Sequence, residues 1–157
     1  MGPVRIALDT SIFVYAEGVQ HSPSDAPKVE ASRSLLTGLA KNLDSTLVAP
    51  VQVLLELHHV LTRKGGHSPQ SARAAVQRLV EAIELEPTTP EVLTSAMDLV
   101  VDHRLQIFDA VILAAAASSR CEILLSEDLH EGFHFRGVTV ENPFGAPAPA
   151  IQALLGR

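Results

Sequence analysis

Cysteine is almost missing from this chain: the single Cys121 excludes an internal disulfide and any metal centre built from several thiolates. That scarcity fits a reducing compartment, so a cytoplasmic location is expected. Long apolar runs are missing too. The longest, residues 47–51 with their neighbours and 110–117, fall far short of the roughly 20 residues that a membrane-spanning helix needs. No membrane partner is expected. Arg5 and Asp9 break up the apolar start, so no secretory leader is expected either. Basic charge is in short supply: 12 Lys and Arg face 18 Asp and Glu, for a formal net charge of −6. That balance argues against a protein that coats nucleic acid by bulk electrostatics. It leaves room for an acidic site that holds cations, because a bound ion inverts the local field.

What is present fits one globular domain: 157 residues, 46% hydrophobic and 19% charged. The chain is organised around its start. Val4, Ile6, Ala7 and Leu8 make the nearly unbroken apolar run of a parallel strand covered on both faces. The run ends in Asp9-Thr10-Ser11, with no Gly-rich loop between. In open α/β sheets the carboxyl rim of the strands is where ligands bind.

The remaining pattern alternates. A short helix over 12–17 closes at Gly18, and residues 19–27 form a polar loop. An amphipathic helix over 28–43 carries Leu35, Leu36, Leu39, Ala40 and Leu43, and a short strand covers 46–49. Pro50 opens a helix that Gly65-Gly66 stops, and Ser68-Pro69 caps the next, with Ala72, Ala75, Val76, Leu79, Val80 and Ile83 as its stripe. A brief strand at 85–87 precedes a helix that starts at Thr89-Pro90-Glu91 and reaches about residue 103. A nearly all-apolar helix spans 106–119, a core strand 121–125, and a last, edge strand 137–140. Residues 146–157 are an Ala/Pro-rich tail in which Ile151, Leu154 and Leu155 can dock as one helical turn. Strands alternating with helices imply a single three-layer α/β/α domain over residues 1–145, with a central, mostly parallel sheet.

Four carboxylates stand out by position. Asp9 ends the first strand, Glu56 lies six residues past Pro50, Asp109 opens the alanine-rich helix, and Asp128 follows the strand that ends at Leu125. Each has an ordinary reading alone: helix cap, solvated helix residue, N-terminal helix charge, turn residue. Their joint placement after strands is more specific. If all four converge at about 5 Å, repulsion is on the order of 3 kcal/mol per pair at an effective dielectric near 20. Such a cluster needs a divalent cation, and an all-oxygen set favours Mg²⁺ or Mn²⁺ over zinc. Adjacent His58 and His59 cannot form the i, i+4 pair of a zinc helix, and the other five histidines read as surface or structural. Arg63, Lys64, Arg104, Arg120 and Arg136 are candidate phosphate contacts, most of them expected to be ordinary solvated charges.

Leu8-Asp9-Thr10-Ser11, Glu56 after Ala49-Pro50, Phe108-Asp109-Ala110, Leu124-Leu125-Ser126-Glu127-Asp128 and Val140-Glu141-Asn142-Pro143-Phe144 together resemble a PIN domain. The likeness is greatest to the VapC-type toxins of bacterial toxin–antitoxin pairs, over roughly residues 4–145. The resemblance implies a PIN-like fold and a Mg²⁺-dependent endoribonuclease, with Mn²⁺ as a substitute. Asp9, Glu56, Asp109 and Asp128 would be the catalytic, metal-binding carboxylates, with Thr10, Ser11 and Ser126 beside them. Ser126 would hold a metal-bound water or a phosphate oxygen, Ser11 stands where many relatives carry Asn, and Glu127 is expected to be solvated. Implied partners are an RNA substrate, a small antitoxin protein and a second copy of the chain. The alternative is a catalytically silent PIN-like module that binds RNA or protein. A haloacid-type phosphatase is disfavoured, because Ser11 stands where its second Asp would be.

Overall fold

Strand β1 (Val4–Leu8) lies in the middle of the sheet in the computed structural model, which describes residues 2–145 and 149–156. Ile6, Ala7 and Leu8 have no exposed surface, as the unbroken apolar run requires. Helices α1 (Thr10–Ala16) and α2 (Ala26–Lys41) lead to β2 (Ser45–Pro50). Helices α3 (Val51–Arg63) and α4 (Pro69–Ala82) lead to β3 (Glu84–Glu86). Helices α5 (Pro90–His103) and α6 (Ile107–Ser118) return the chain to β4 (Ile123–Leu125). A hairpin of β5 (His134–Phe135) and β6 (Val138–Glu141) completes the sheet, and α7 (Pro149–Leu155) follows.

The strand order is β3-β2-β1-β4-β6-β5, parallel except for the β5–β6 pair. The chain steps outward from β1 to β2 to β3, then crosses back to β4 on the other side of β1. With right-handed crossovers, α1–α4 cover one face and α5–α6 the other. The reversal makes the carboxyl ends of β1 and β4 neighbours at a topological switch point. Leu8 pairs with Leu125, and the Asp9 amide donates to the Leu125 carbonyl at 3.0 Å. Two segments that begin with Asp9 and Ser126 therefore leave the sheet side by side.

Local differences from the sequence reading have identifiable causes. Helix α1 starts at Thr10, two residues earlier than periodicity predicts, because the Asp9 carboxylate caps it. Helix α2 ends at Lys41, leaving Leu43 94% exposed rather than on a buried stripe. Val80, placed by periodicity on the apolar stripe of α4, is exposed. The strand expected at the edge, β6, is internal, with Val138 and Val140 fully buried. Its outer neighbour β5 is only two residues long and joins it through Arg136 (φ 45°) and Gly137 (φ 90°). Positive φ at both positions makes the tight turn that strand twist favours in hairpins. Helix α7 buries Ile151 and Leu154, while Leu155 stays exposed, and Asn42 Nδ2 donates to the Leu154 carbonyl at 2.7 Å.

Ser68 caps α4 as its sequence suggests, its Oγ accepting from the Ser71 amide at 3.1 Å. Ser68→Ala should cost about 1 kcal/mol by leaving that amide to water. Chemical denaturation of the two proteins reads the difference directly. None of the described helices is long and apolar enough to cross a membrane.

Candidate active site

Asp9 leaves the end of β1 only 3% exposed. Its Oδ1 accepts from the Thr10 amide at 2.7 Å, and its Oδ2 accepts from Ser126 Oγ at 2.6 Å. Burial raises its pKa to about 6; the two hydrogen bonds oppose that rise, and the negative charges of Asp128 and Asp109 add to it. Ser126 is fully buried, and its hydroxyl also accepts from the amides of Asp128 and Leu129, each at 3.2 Å. Its bonding capacity is therefore spent within the protein. The hydroxyl expected to hold a water or a phosphate oxygen instead orients Asp9 and shapes the turn to Asp128.

Ser126→Ala should destabilise the fold by about 1–3 kcal/mol at pH 8, where the buried Asp9 is ionised and loses its strongest donor. Near pH 4, with Asp9 protonated in the folded state, that loss should shrink. Urea melts at the two pH values would separate these cases, and an equal cost at both would deny the link to Asp9.

Glu56 projects from α3 and is half-buried. Its Oε2 accepts from Thr10 Oγ1 at 2.9 Å, and its Oε1 accepts from Gln52 Nε2 at 3.0 Å. Thr10 thus ties two carboxylates together, with its amide on Asp9 and its hydroxyl on Glu56. Asp109 sits in the first turn of α6, whose N-cap is the Gln106 side chain: Oε1 accepts from the Phe108 and Asp109 amides at 2.9 and 3.1 Å. Burial raises the Asp109 carboxyl, with Asp128 and Glu56 adding to the rise. Asp128 is also raised, first by burial, then by Glu127, with Lys28 opposing and Glu56 adding.

Hydrogen bonds link Asp9 to Glu56 through Thr10 and to the Asp128 amide through Ser126, and the charges of Asp128 and Asp109 reach Asp9. Among the described residues, none of the four forms an ion pair. The donor set is all oxygen, and its most buried member has no cationic partner, which is the chemistry of a hard divalent cation site. The side chains stand apart, however. Among the described residues, no three His, Cys, Asp or Glu come close enough to hold an ion as they are placed.

Ser11, next to Asp9 and Thr10, has a buried Oγ with no hydrogen-bond partner among the described residues. Glu127, expected to be solvated, is held instead. Its Oε1 accepts from Tyr15 Oη at 2.6 Å and its Oε2 from Lys28 Nζ at 2.9 Å. Periodicity marks Tyr15 and Lys28 only as helix residues, and no local motif points to either. Of the basic residues read as candidate phosphate contacts, Arg136 is bonded to Ser95 Oγ at 2.8 Å. Arg120 follows the far end of α6, roughly 16 Å from Asp109 along the helix axis at 1.5 Å per residue. Four histidines have partners of their own: His67 pairs with Ser71, His134 with Thr139, and His103 and His21 stack edge-on against Phe133 and Tyr15.

No curated protein matches the chain in sequence. Solved structures do match in fold. VapBC2 of Rickettsia felis, bound to a DNA fragment from its promoter, is 19% identical with a TM-score of 0.64, covering 88% of this chain and 98% of that one. VapC20 of Mycobacterium tuberculosis, a sarcin–ricin loop cleaving toxin, is 21% identical with a TM-score of 0.59, covering 76% and 86%. VapBC-1 of nontypeable Haemophilus influenzae is 15% identical with a TM-score of 0.60, covering 90% and 100%. At these identities the likeness is one of fold. The sequence profile of the PIN domain matches residues 6–133, and the chain belongs to the PIN domain family.

Proposed function

We propose that this protein is a Mg²⁺-dependent endoribonuclease, with Mn²⁺ as a substitute, acting in the cytoplasm as the toxin of a toxin–antitoxin pair. The observation that carries the reading is Asp9: a buried carboxylate at the switch point, without a cationic partner among the described residues, and tied through Thr10 to Glu56 and through Ser126 to the Asp128 turn. A divalent cation bound there would lower the pKa of an attacking water and offset charge on the scissile phosphate.

The chain's own residues have separable tasks. Ser126 and the Thr10 amide fix the Asp9 carboxylate, and the Thr10 hydroxyl with Gln52 fixes Glu56. The Gln106 cap seats the first turn of α6 and with it Asp109. Asp128, exposed on the turn after β4, is the acid an incoming phosphodiester would meet first. Hydrolysis by water would leave a 5′-phosphate and a 3′-hydroxyl, and no nucleophilic side chain is required.

Two surfaces support the protein partners. Leu93, Met97 and Val101 make an exposed stripe along α5, continued by Phe108 at the head of α6, and we assign it to a second copy of the chain. An apolar groove between α3 and α4, lined by Leu54, Leu55, Val76 and Val80, adjoins the helix that carries Glu56 and suits a short antitoxin segment.

The test is cleavage by the purified protein of structured RNAs, a sarcin–ricin loop hairpin among them, with Mg²⁺, Mn²⁺ or EDTA. Metal-dependent cutting supports the reading. Cutting that survives EDTA removes the metal mechanism.

A further inference from the structure

Residues 126–128 put two carboxylates side by side at the corner of the rim, and either could swing toward the other acids. Their surroundings separate them. Ser126 turns inward to Asp9, while Glu127 is drawn the other way, against α1 and α2. The Glu127 side chain is 16% exposed, whereas Asp128 is exposed. Lys28, which holds Glu127, is itself confined: Nζ lies 3.7 Å from Asp25 Oδ1 and 5.5 and 5.7 Å from the ring centroids of Tyr15 and Phe144. Those rings meet edge to face at 5.5 Å. Asp25 is fixed in turn, accepting from the amides of His21 and Ser22. Two side chains thus hold a residue with no evident task of its own, and Asp25 and Phe144 in turn confine Lys28.

We propose that Tyr15 and Lys28 are positioning residues that hold Glu127 out of the acidic rim, leaving Asp128 as the single acid at that corner. The inference rests on the metal-site reading given above. The physical need is plain. A fifth carboxylate swung into the rim adds like-charge repulsion with each near neighbour when no cation is bound. It also offers a longer side chain as a rival ligand in the wrong place. Held by Lys28, the Glu127 charge is neutralised where it stands. The clamp has stiffness as well as charge, because both donors come from helices packed on each other and the Lys28 ammonium lies over two aromatic rings.

The test is a double-mutant cycle read by Mn²⁺ binding, measured from the paramagnetic resonance signal of the free ion over the purified full chain. Lys28→Met should lower the Mn²⁺ Kd several-fold, because it removes a nearby cation and frees a fifth carboxylate to join the acids. In a Glu127→Gln background, where no second carboxylate can join, the same substitution should change Kd by less than about twofold. Tyr15→Phe keeps the ring against Phe144 and removes only the hydroxyl donor. It should shift Kd in the same direction by a smaller factor, again only while Glu127 is present, and it serves if Lys28→Met does not fold. Equal effects of Lys28→Met in both backgrounds would overturn the inference, since Lys28 would then act without Glu127. No effect in either background would overturn it as well. A wild-type protein that takes up no Mn²⁺ fails the nuclease reading itself, whereas wild-type uptake with uncoupled variants fails the positioning role alone.

Discussion

Asp9→Asn is expected to do two opposite things: abolish metal-dependent RNA cleavage and stabilise the metal-free fold above pH 6. The first effect should exceed about a hundredfold, because a bound cation supplies several kcal/mol of charge stabilisation and every 1.4 kcal/mol is a factor of ten. The second follows from linkage. Asp9's carboxyl is raised from 3.8 to about 6 in the folded protein, so the folded state prefers the protonated form. The stability this contributes is complete below about pH 4 and is lost as pH rises through 6. A rise of that size corresponds to about 3 kcal/mol against folding at pH 8. Asn removes that penalty but leaves the Ser126 hydroxyl without its carboxylate acceptor, so the net gain should be about 1–2 kcal/mol. At pH 4 the gain should vanish or reverse. Urea melts in EDTA at pH 4, 6 and 8 measure it. A variant that loses stability at pH 8 would show that Asp9 is a helix cap first.

Phe13→Ala is the contrasting case, with a large effect on the fold and none on the chemistry as such. Phe13 is 1% exposed on α1, three residues after Thr10, where α1 packs against α2 and α3. Removing a fully buried ring costs about 3–5 kcal/mol, a large share of the 5–15 kcal/mol that typical domains possess. For a chain of this size the melting temperature should fall by roughly 10 °C. Well below the new midpoint, cleavage should largely persist, because Phe13 touches no reacting group. Calorimetry beside a cleavage assay would separate the two variants: one stable and inactive, the other unstable and active.

The central strand and the four acids were legible because their signals are local. An apolar run with an acid at its end needs no partner to be recognised, and Asp109 at the head of an all-apolar helix is equally conspicuous. That Asp9 and the segment from Ser126 to Asp128 leave the sheet side by side follows from alternating elements and the handedness of crossovers. What sequence could not show depends on distant partners. Glu127 is held by Tyr15 and Lys28, 112 and 99 residues away, and nothing within a short window distinguishes it from a solvated acid. Ser126 fits a motif, but whether its hydroxyl faces solvent or Asp9 depends on a strand register 117 residues apart. The β5–β6 hairpin escaped for a different reason. Its turn is Arg136-Gly137 rather than the Asn-Gly or Asp-Gly that marks such turns, and an arginine at positive φ leaves no compositional trace.

That two-residue strand also bears on how the protein behaves in a crowded solution. A sheet border is a row of unpaired amides and carbonyls, and a long, flat one invites a strand from another molecule. Here β5 ends one border after two residues, and β3 ends the other after three, two of them glutamates. An intruding chain would find too few rungs to hold at either side, and at β3 it would meet a glutamate already engaged by Arg5 beside a second acid, Glu86. The short hairpin is therefore a guard against edgewise aggregation as well as the last step in building the sheet.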